Sequence, residues 1–397
     1  MSTLAIDGGT PVRTRPFPTW PDLGGVNFDR VMEVLRSNQL SPLSGSMVKQ
    51  FESAFGQHFG LGEVVATNSG TAAVHTALAA LGVGPGDEVI VTAHSFIGSA
   101  SPIVMCGATP VFADVDPRTF TMDPKFVEKL ITSKTKAIVS VDLNGHPVDY
   151  HQLLPLAKQA GIPIVEDAAQ AHGATLDGKY CGTFGDIAAW SFWEDKIMPI
   201  GEGGAVSTPN PELAHRARMF INHGEEPPDK GYHETERLYY HHFLGYNYRL
   251  HEALAAIGLS VLPHVDEWAS QRQQNADYLS QQFSSIPGCM PMYVAPGAKP
   301  TYYVYILTLD IERFRADITT IVQAIRREGI PASRRYSTPL HKQPVFQHWL
   351  SPHQPDLPVC ESLPRSLIRL TVPPNLTRQD LDDVVAAVAK VLHAYQR

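Results

Sequence analysis

Four places in the sequence combine residue types and spacing that could do chemistry. The first is Thr67-Asn-Ser-Gly-Thr-Ala-Ala-Val-His75, a strand-like run that passes through Ser69, Gly70 and Thr71 into a helical stretch. Glycine at such a turn lets the backbone approach an anion, and the free N–H groups at a helix start favour negative charge, so this is a candidate phosphate cradle. A plain N-cap followed by a turn glycine has the same spelling. The second is Val165-Glu-Asp-Ala-Ala-Gln-Ala-His-Gly173, a strand that ends on Glu166 and Asp167. A carboxylate there can hold a protonated ring nitrogen by a charge-assisted hydrogen bond, with Gln170 within reach of a neighbouring oxygen. A helix cap or half of a structural ion pair would use the same acid. In the third, Trp190 to Gly204, Lys196 stands five residues after Ser191 among apolar and aromatic neighbours, ahead of Gly201-Glu-Gly-Gly204. Most lysines are solvated surface charges, yet one withdrawn from water has a depressed pKa and attacks carbonyls. The fourth, Gly245-Tyr-Asn-Tyr-Arg249, also reads as a tight turn entering a helix. No metal centre is expected, because His172 has no second His or Cys at ligand spacing.

Something must bring these places together. Seven β-rich runs, beginning near Glu63, Asp87, Thr109, Lys136, Ile162, Asp186 and Gly204, alternate with helical stretches such as Thr71–Leu81, Phe126–Ile131 and Leu153–Ala160. That alternation implies a largely parallel sheet covered on both faces, with ligands bound beyond the carboxyl ends of its strands. From His251 to Phe283 runs one long helical pattern. After it, strands at Tyr302–Asp310 and Leu367–Val372 and helices at Asp317–Glu328 and Arg378–Tyr395 imply a smaller α+β unit. The expected division is 1–250 for the N-terminal segment and large domain, and 251–397 for the linking helix and small domain. The Pro- and His-rich stretch Glu225–His242 has no periodicity and reads as a long loop.

Composition narrows the class further. The chain has 397 residues, 43% hydrophobic and 18% charged, with a net charge of −8, which lacks the basic excess that nucleic-acid binding relies on. No apolar run approaches the roughly 20 residues that span a bilayer, and the start lacks a basic, hydrophobic leader. Cys106, Cys181, Cys289 and Cys360 are scattered, as in reduced proteins without a disulfide framework. A cytoplasmic protein with no membrane and no nucleic-acid partner is expected.

Taken together, a phosphate cradle, an acid for a ring nitrogen and a lysine for an aldehyde are the three handles of pyridoxal 5′-phosphate. The sequence resembles the DegT/DnrJ/StrS family of pyridoxal-phosphate aminotransferases, the sugar and cyclitol branch of the aspartate-aminotransferase-like fold (fold type I). The likeness runs from Gly45-Ser-Met-Val-Lys-Gln-Phe-Glu52 through Ser69-Gly-Thr71, Gly86-Asp-Glu-Val-Ile-Val91, Glu166-Asp-Ala-Ala-Gln170, Ser191-Phe192, Lys196, Gly201-Glu-Gly-Gly204 and Gly245-Tyr-Asn-Tyr-Arg249 to Leu363-Pro364. It implies an α/β fold: a large domain with a mostly parallel seven-stranded sheet and a smaller α+β C-terminal domain.

The resemblance also implies roles. Lys196 would hold the cofactor aldehyde as a Schiff base and then move the proton. Asp167 would keep the pyridine nitrogen protonated, Gln170 would contact the phenolic oxygen, and the ring of Phe96 would stack on the cofactor. Ser69, Gly70, Thr71 and Ser191 would bind the phosphate, and Asn247 would reach the phosphate in the neighbouring subunit of a homodimer with shared sites. The substrates would be an amino-acid donor, glutamate or glutamine, and a keto-sugar or keto-cyclitol, in amino-sugar, aminocyclitol or antibiotic biosynthesis. In place of the family's Val-His-Leu-Tyr-Gly this chain has Val141-Asp-Leu-Asn-Gly145, so Asp142 and Asn144 are its own. The competing readings are a pyridoxal-phosphate dehydratase, against which Lys196 stands because those members carry histidine there, an aminohydroxybenzoate-synthase-like enzyme, and a non-catalytic cofactor-binding regulator.

Overall fold

Runs such as Glu88-Val-Ile-Val-Thr92 and Ile187-Ala-Ala-Trp-Ser191 are buried along their whole length, so they form strands with both faces covered, and alternating polar residues are absent from them. The computed structural model describes residues 3–226 and 239–397. In it, β1 (Glu63–Thr67), β2 (Glu88–Thr92), β3 (Thr109–Ala113), β4 (Thr135–Val141), β5 (Ile164–Asp167), β6 (Ile187–Ser191) and β7 (Gly204–Thr208) make one sheet. Their order is β1-β7-β6-β5-β4-β2-β3. The central pairings are parallel, and β7 alone runs antiparallel to both its neighbours. Alternate residues feed two cores: Val89, Val91, Val139 and Val165 on one face, Ile90, Ile138 and Ile164 on the other.

The stretch His251–Phe283 is not one helix. It is two, Glu252–Val261 and Val265–Phe283, separated by the 3₁₀ turn Leu262–His264. Pro263 sits in that turn, and its missing N–H and bulky ring end a continuous α-helical ladder. Beyond lies an antiparallel sheet of β8 (Cys289–Pro291), β9 (Tyr305–Leu309), β10 (Ala332–Arg334) and β11 (Leu367–Leu370), in the order β8-β9-β11-β10. Helices Ile318–Arg327 and Arg378–Tyr395 pack with it, the latter opened by a capping box between Thr377 and Asp380. The three-residue strands β8 and β10 are too short to carry a period in the sequence.

The first residues close this second unit. Buried Glu328 accepts from the backbone N–H groups of Ala5 (2.9 Å) and Val12 (3.0 Å) and from Lys390 Nζ (2.8 Å). Arg13 reaches Asp380 (2.7 Å) and Asp383 (2.9 Å). Residues 227–238 of the loop expected at Glu225–His242 lie outside the described residues. Among the described residues, no helix is long and apolar enough to cross a membrane.

Candidate active site

A cavity of about 500 Å³ opens beyond the carboxyl ends of β5 and β6, and eight of the nine residues singled out from the sequence line it: Ser69, Gly70, Thr71, Phe96, Asp167, Gln170, Ser191 and Lys196. The ninth, Asn247, does not. It is exposed, and its contact with this region is the 3.5 Å hydrogen bond from Asn68 Nδ2 to its carbonyl oxygen.

One end of the cavity is the start of helix Gly70–Ala80. Ser69 is its N-cap, with Oγ accepting from Ala72 N (3.1 Å), so the cap and the anion-cradle readings of this motif describe one geometry. A Cβ on Gly70 would lie 2.6 Å from Ser191 Cβ, and one on Gly98 would lie 2.8 Å from Thr71 Oγ1. Both contacts are shorter than real Cβ atoms tolerate, so glycine is what lets the helix start, β6 and the Phe96 loop converge there. Free helix N–H groups beside the hydroxyls of Thr71 and Ser191 fit a phosphate. Phe96 is 57% exposed, with its ring bordering the same space.

Asp167 ends β5. Its Oδ2 accepts from Ser99 Oγ (2.7 Å), itself 2.9 Å from Ser95 Oγ, and its Oδ1 accepts from Ala169 N (3.2 Å). Burial raises its pKa above the usual carboxylate value, and Ser99, the Ala169 N–H and nearby Lys196 offset part of that rise. A carboxylate in this state gains from a cationic N–H, which a protonated ring nitrogen supplies.

Lys196 follows β6 in the loop before β7. Burial brings its amine pKa down to about 8; Asp195 and Asp167 pull it back up, while Arg335 and Arg369 push it further down. A sizeable neutral fraction at physiological pH makes this amine a nucleophile and a base, and Nζ lies 4.5 Å from the centre of the Tyr303 ring. The Trp20 indole donates to the Lys196 carbonyl oxygen (2.8 Å) and steadies the loop from the far end of the chain.

Gln170 Oε1 accepts from Asn144 N (3.0 Å) and from Arg335 Nη2 (3.0 Å), and its Nε2 donates to Tyr336 OH (3.3 Å). His172 is fully buried against Trp190 and Phe192, with ring centres 5.3 and 5.7 Å away, and burial drops its pKa to about 3. It is a neutral packing residue here. Arg249 bonds to Asn222 Oδ1 (2.7 Å).

Sequence reasoning missed Ser99, Trp193, Asp195, Glu202 and the whole wall contributed by the second unit, Tyr303, Arg335, Tyr336 and Arg369. Asp195 and Glu202 flank motifs already noted and could have been found. The second-unit residues stand beside short or ordinary strands, with no turn or spacing to mark them.

A sequence profile of the DegT/DnrJ/EryC1/StrS aminotransferase family matches residues 21–389. A GDP-perosamine synthase from Caulobacter vibrioides is 35% identical over 94% of this chain and 97% of its own. An L-glutamine:2-deoxy-scyllo-inosose aminotransferase from Streptoalloteichus tenebrarius is 37% identical over 98% and 97%. The solved structure of DesV from S. venezuelae, in complex with a ketimine intermediate, superposes with a TM-score of 0.83 at 35% identity, covering 91% of this chain and 93% of that one. Fold type I, the aminotransferase activity and the pyridoxal 5′-phosphate cofactor go with that kinship and with the cradle, acid and lysine described above. The chain belongs to the DegT/DnrJ/EryC1/StrS aminotransferase family.

Proposed function

We propose that this enzyme moves an amino group from glutamate or glutamine to a keto-sugar or keto-cyclitol, and that it works in the cytoplasm as a homodimer with shared active sites. The observation that carries this reading is the convergence of Lys196, Asp167 and the Ser69–Thr71 helix start on one cavity. When bound, pyridoxal 5′-phosphate supplies an electron sink for the carbon that loses its proton. The chain's own residues do the rest. Ser69, Gly70, Thr71 and Ser191 would hold the phosphate, Asp167 would meet the ring nitrogen, Gln170 the phenolic oxygen, and Phe96 would pack on the ring. Lys196 Nζ would hold the aldehyde and would then move the proton at the substrate carbon, a task suited to an amine with a pKa of about 8. Relatives that act on a scyllo-inosose and on nucleotide-linked amino sugars support the acceptor class.

The shared site rests on the surface around Asn247. Leu244 is 93% and Tyr240 64% exposed, and part of the Tyr246 ring is bare beside them, an apolar patch suited to burial against a second copy. There the Asn247 amide would donate to the phosphate held by the partner.

Two experiments test the reading. Borohydride reduction of the loaded protein followed by peptide mapping should put the pyridoxyl label on Lys196, and a label on another lysine sinks the assignment. Mixing Asn247→Asp and Lys196→Ala homodimers should restore activity, up to half of wild type per heterodimer. If subunit exchange is verified and activity stays absent, Asn247 does not serve the partner's site. Mass-spectrometric screening of keto-cyclitols and nucleotide-linked keto-sugars, with each donor, then names the substrates.

A further inference from the structure

Arg335 is a buried guanidinium, 8% exposed, that makes no ion pair within 4 Å among the described residues. Arginine is seldom buried without a carboxylate, so the groups it does bond need a reason. Its Nε donates to Asn144 Oδ1 (3.2 Å) and its Nη2 to Gln170 Oε1 (3.0 Å), while its guanidinium lies 4.1 Å over the Tyr336 ring. These contacts join two sheets: Arg335 follows β10, whereas Asn144 and Gln170 follow β4 and β5.

The consequence concerns the Gln170 amide. Its two ends have the same shape, and only their partners decide which is oxygen. The backbone N–H of Asn144 and the Arg335 guanidinium are obligate donors, and both meet the same atom at 3.0 Å. An amide nitrogen there would face two donors, so that end is oxygen. The NH₂ end is then turned toward Tyr336 and the cavity, with one N–H bonded to the phenol and one left for a ligand.

We propose that Arg335 and Asn144 are positioning residues that lock Gln170 as a donor, so that it offers N–H, never a carbonyl oxygen, to the cofactor oxygen facing it. The inference rests on the reading above that Gln170 faces the phenolic oxygen. It makes the donor strength at that oxygen depend on the second sheet being seated against the first. A donated N–H stabilises an oxygen anion, which then holds a conjugated proton less firmly. The charged and titratable groups around this amide are Arg335, Tyr336 and Tyr303 from the second unit, His94 against the Tyr336 ring, Asp167 on β5, and Lys196, Asp195, Glu202 and Arg369 across the cavity.

The test is the pH midpoint of the visible absorption band of protein loaded with pyridoxal 5′-phosphate. Gln170→Met should raise it by about one unit, the size of one hydrogen bond to a charged group. Arg335→Lys keeps the charge but loses the two-pronged grip, and should raise it in the same direction. In the Gln170→Met background, Arg335→Lys should add nothing. Asn144→Gly, which suits the positive φ of 60° there, keeps the backbone N–H on Gln170 Oε1 but removes the Oδ1 that holds Arg335 Nε, so it should shift the midpoint in the same direction as Arg335→Lys, by less, even if that variant loads poorly. An equal shift from Arg335→Lys with and without Gln170, or no shift from either Arg335→Lys or Asn144→Gly, overturns the lock. If Gln170→Met itself leaves the midpoint unmoved, the underlying reading of Gln170 fails, and the proposal falls with it.

Discussion

Glu166 and Asp167 are consecutive acids at the end of β5, both fully enclosed, and they turn to opposite faces of the sheet. Glu166 accepts from the backbone N–H groups of Gly182, Phe184 (2.7 Å) and Gly185 (2.9 Å). It also faces the Asp142 carboxyl, whose pKa burial and the Glu166 charge push far up, so that Asp142 keeps its proton and donates it to Glu166. Asp142 in turn accepts from Val148 N (2.9 Å) and Tyr150 OH (3.0 Å). Every need of Glu166 is met by the chain. Asp167 has a serine and one backbone N–H, and the rest of its carboxylate looks into the cavity. What sets Asp167, the acid proposed to act, apart from Glu166 is unspent hydrogen-bonding capacity, since burial and residue type are nearly the same.

The sharpest way to break the comparison is to neutralise the cavity acid. Asp167→Asn should cut turnover roughly 10–150-fold, the worth of one charge-assisted hydrogen bond felt in the transition state, with thermal stability unchanged or raised. Steady-state kinetics beside a melting curve would decide, and near-normal turnover would mean that another group faces the ring nitrogen. Neutralising its neighbour should do the reverse. Glu166→Gln turns an NH₂ toward backbone donors, so it should cost about 1–3 kcal/mol of stability for each group left unpaired while the folded fraction keeps its turnover. A loss of kcat without a loss of stability would erase the distinction.

The smallest effect is a pH dependence. Asp142 has a raised pKa in the folded state, so the folded chain holds a proton that the unfolded chain releases above its ordinary value near 3.8. Stability from this group therefore falls as pH rises through that window, by up to about 1.4 kcal/mol per pH unit. Asn at 142 accepts from Val148 and Tyr150 and donates to Glu166 with no proton to lose. Asp142→Asn should thus melt higher relative to wild type at pH 8 than at pH 5, and an advantage that shrinks with rising pH would contradict the shared proton.

This contrast also explains what the sequence could and could not tell. The strands of the large sheet were legible because they are unbroken apolar runs, and the gathering of Asp167, Lys196 and Ser69–Thr71 around one cavity was legible because each stands near a strand end or a helix start. Spacing alone does not tell Glu166 from Asp167, and only the family resemblance singles out Asp167, because the partners that set them apart, at residues 182–185 and 142, are brought near only by folding. The break at Pro263 was readable in principle, but the apolar period continues through it. Arg335 and Tyr336 belong to a unit whose position against the first is set by tertiary packing, which no local pattern records.

That packing has a consequence for the order in which the chain is made. Residues 5–13 leave the ribosome long before their partners Glu328, Asp380, Asp383 and Lys390, the nearest of which follows 316 residues after Val12. The large sheet, complete by Thr208, can close while synthesis continues. The second unit cannot, because its opening segment has only Glu328 to dock on until the helix Arg378–Tyr395, which carries Asp380, Asp383 and Lys390, is free of the exit tunnel. Since the Arg335 wall belongs to that unit, the active site is the last part of the molecule to be assembled, and a nascent chain stalled before residue 378 carries Lys196 and Asp167 in a sheet that lacks one side of its cavity.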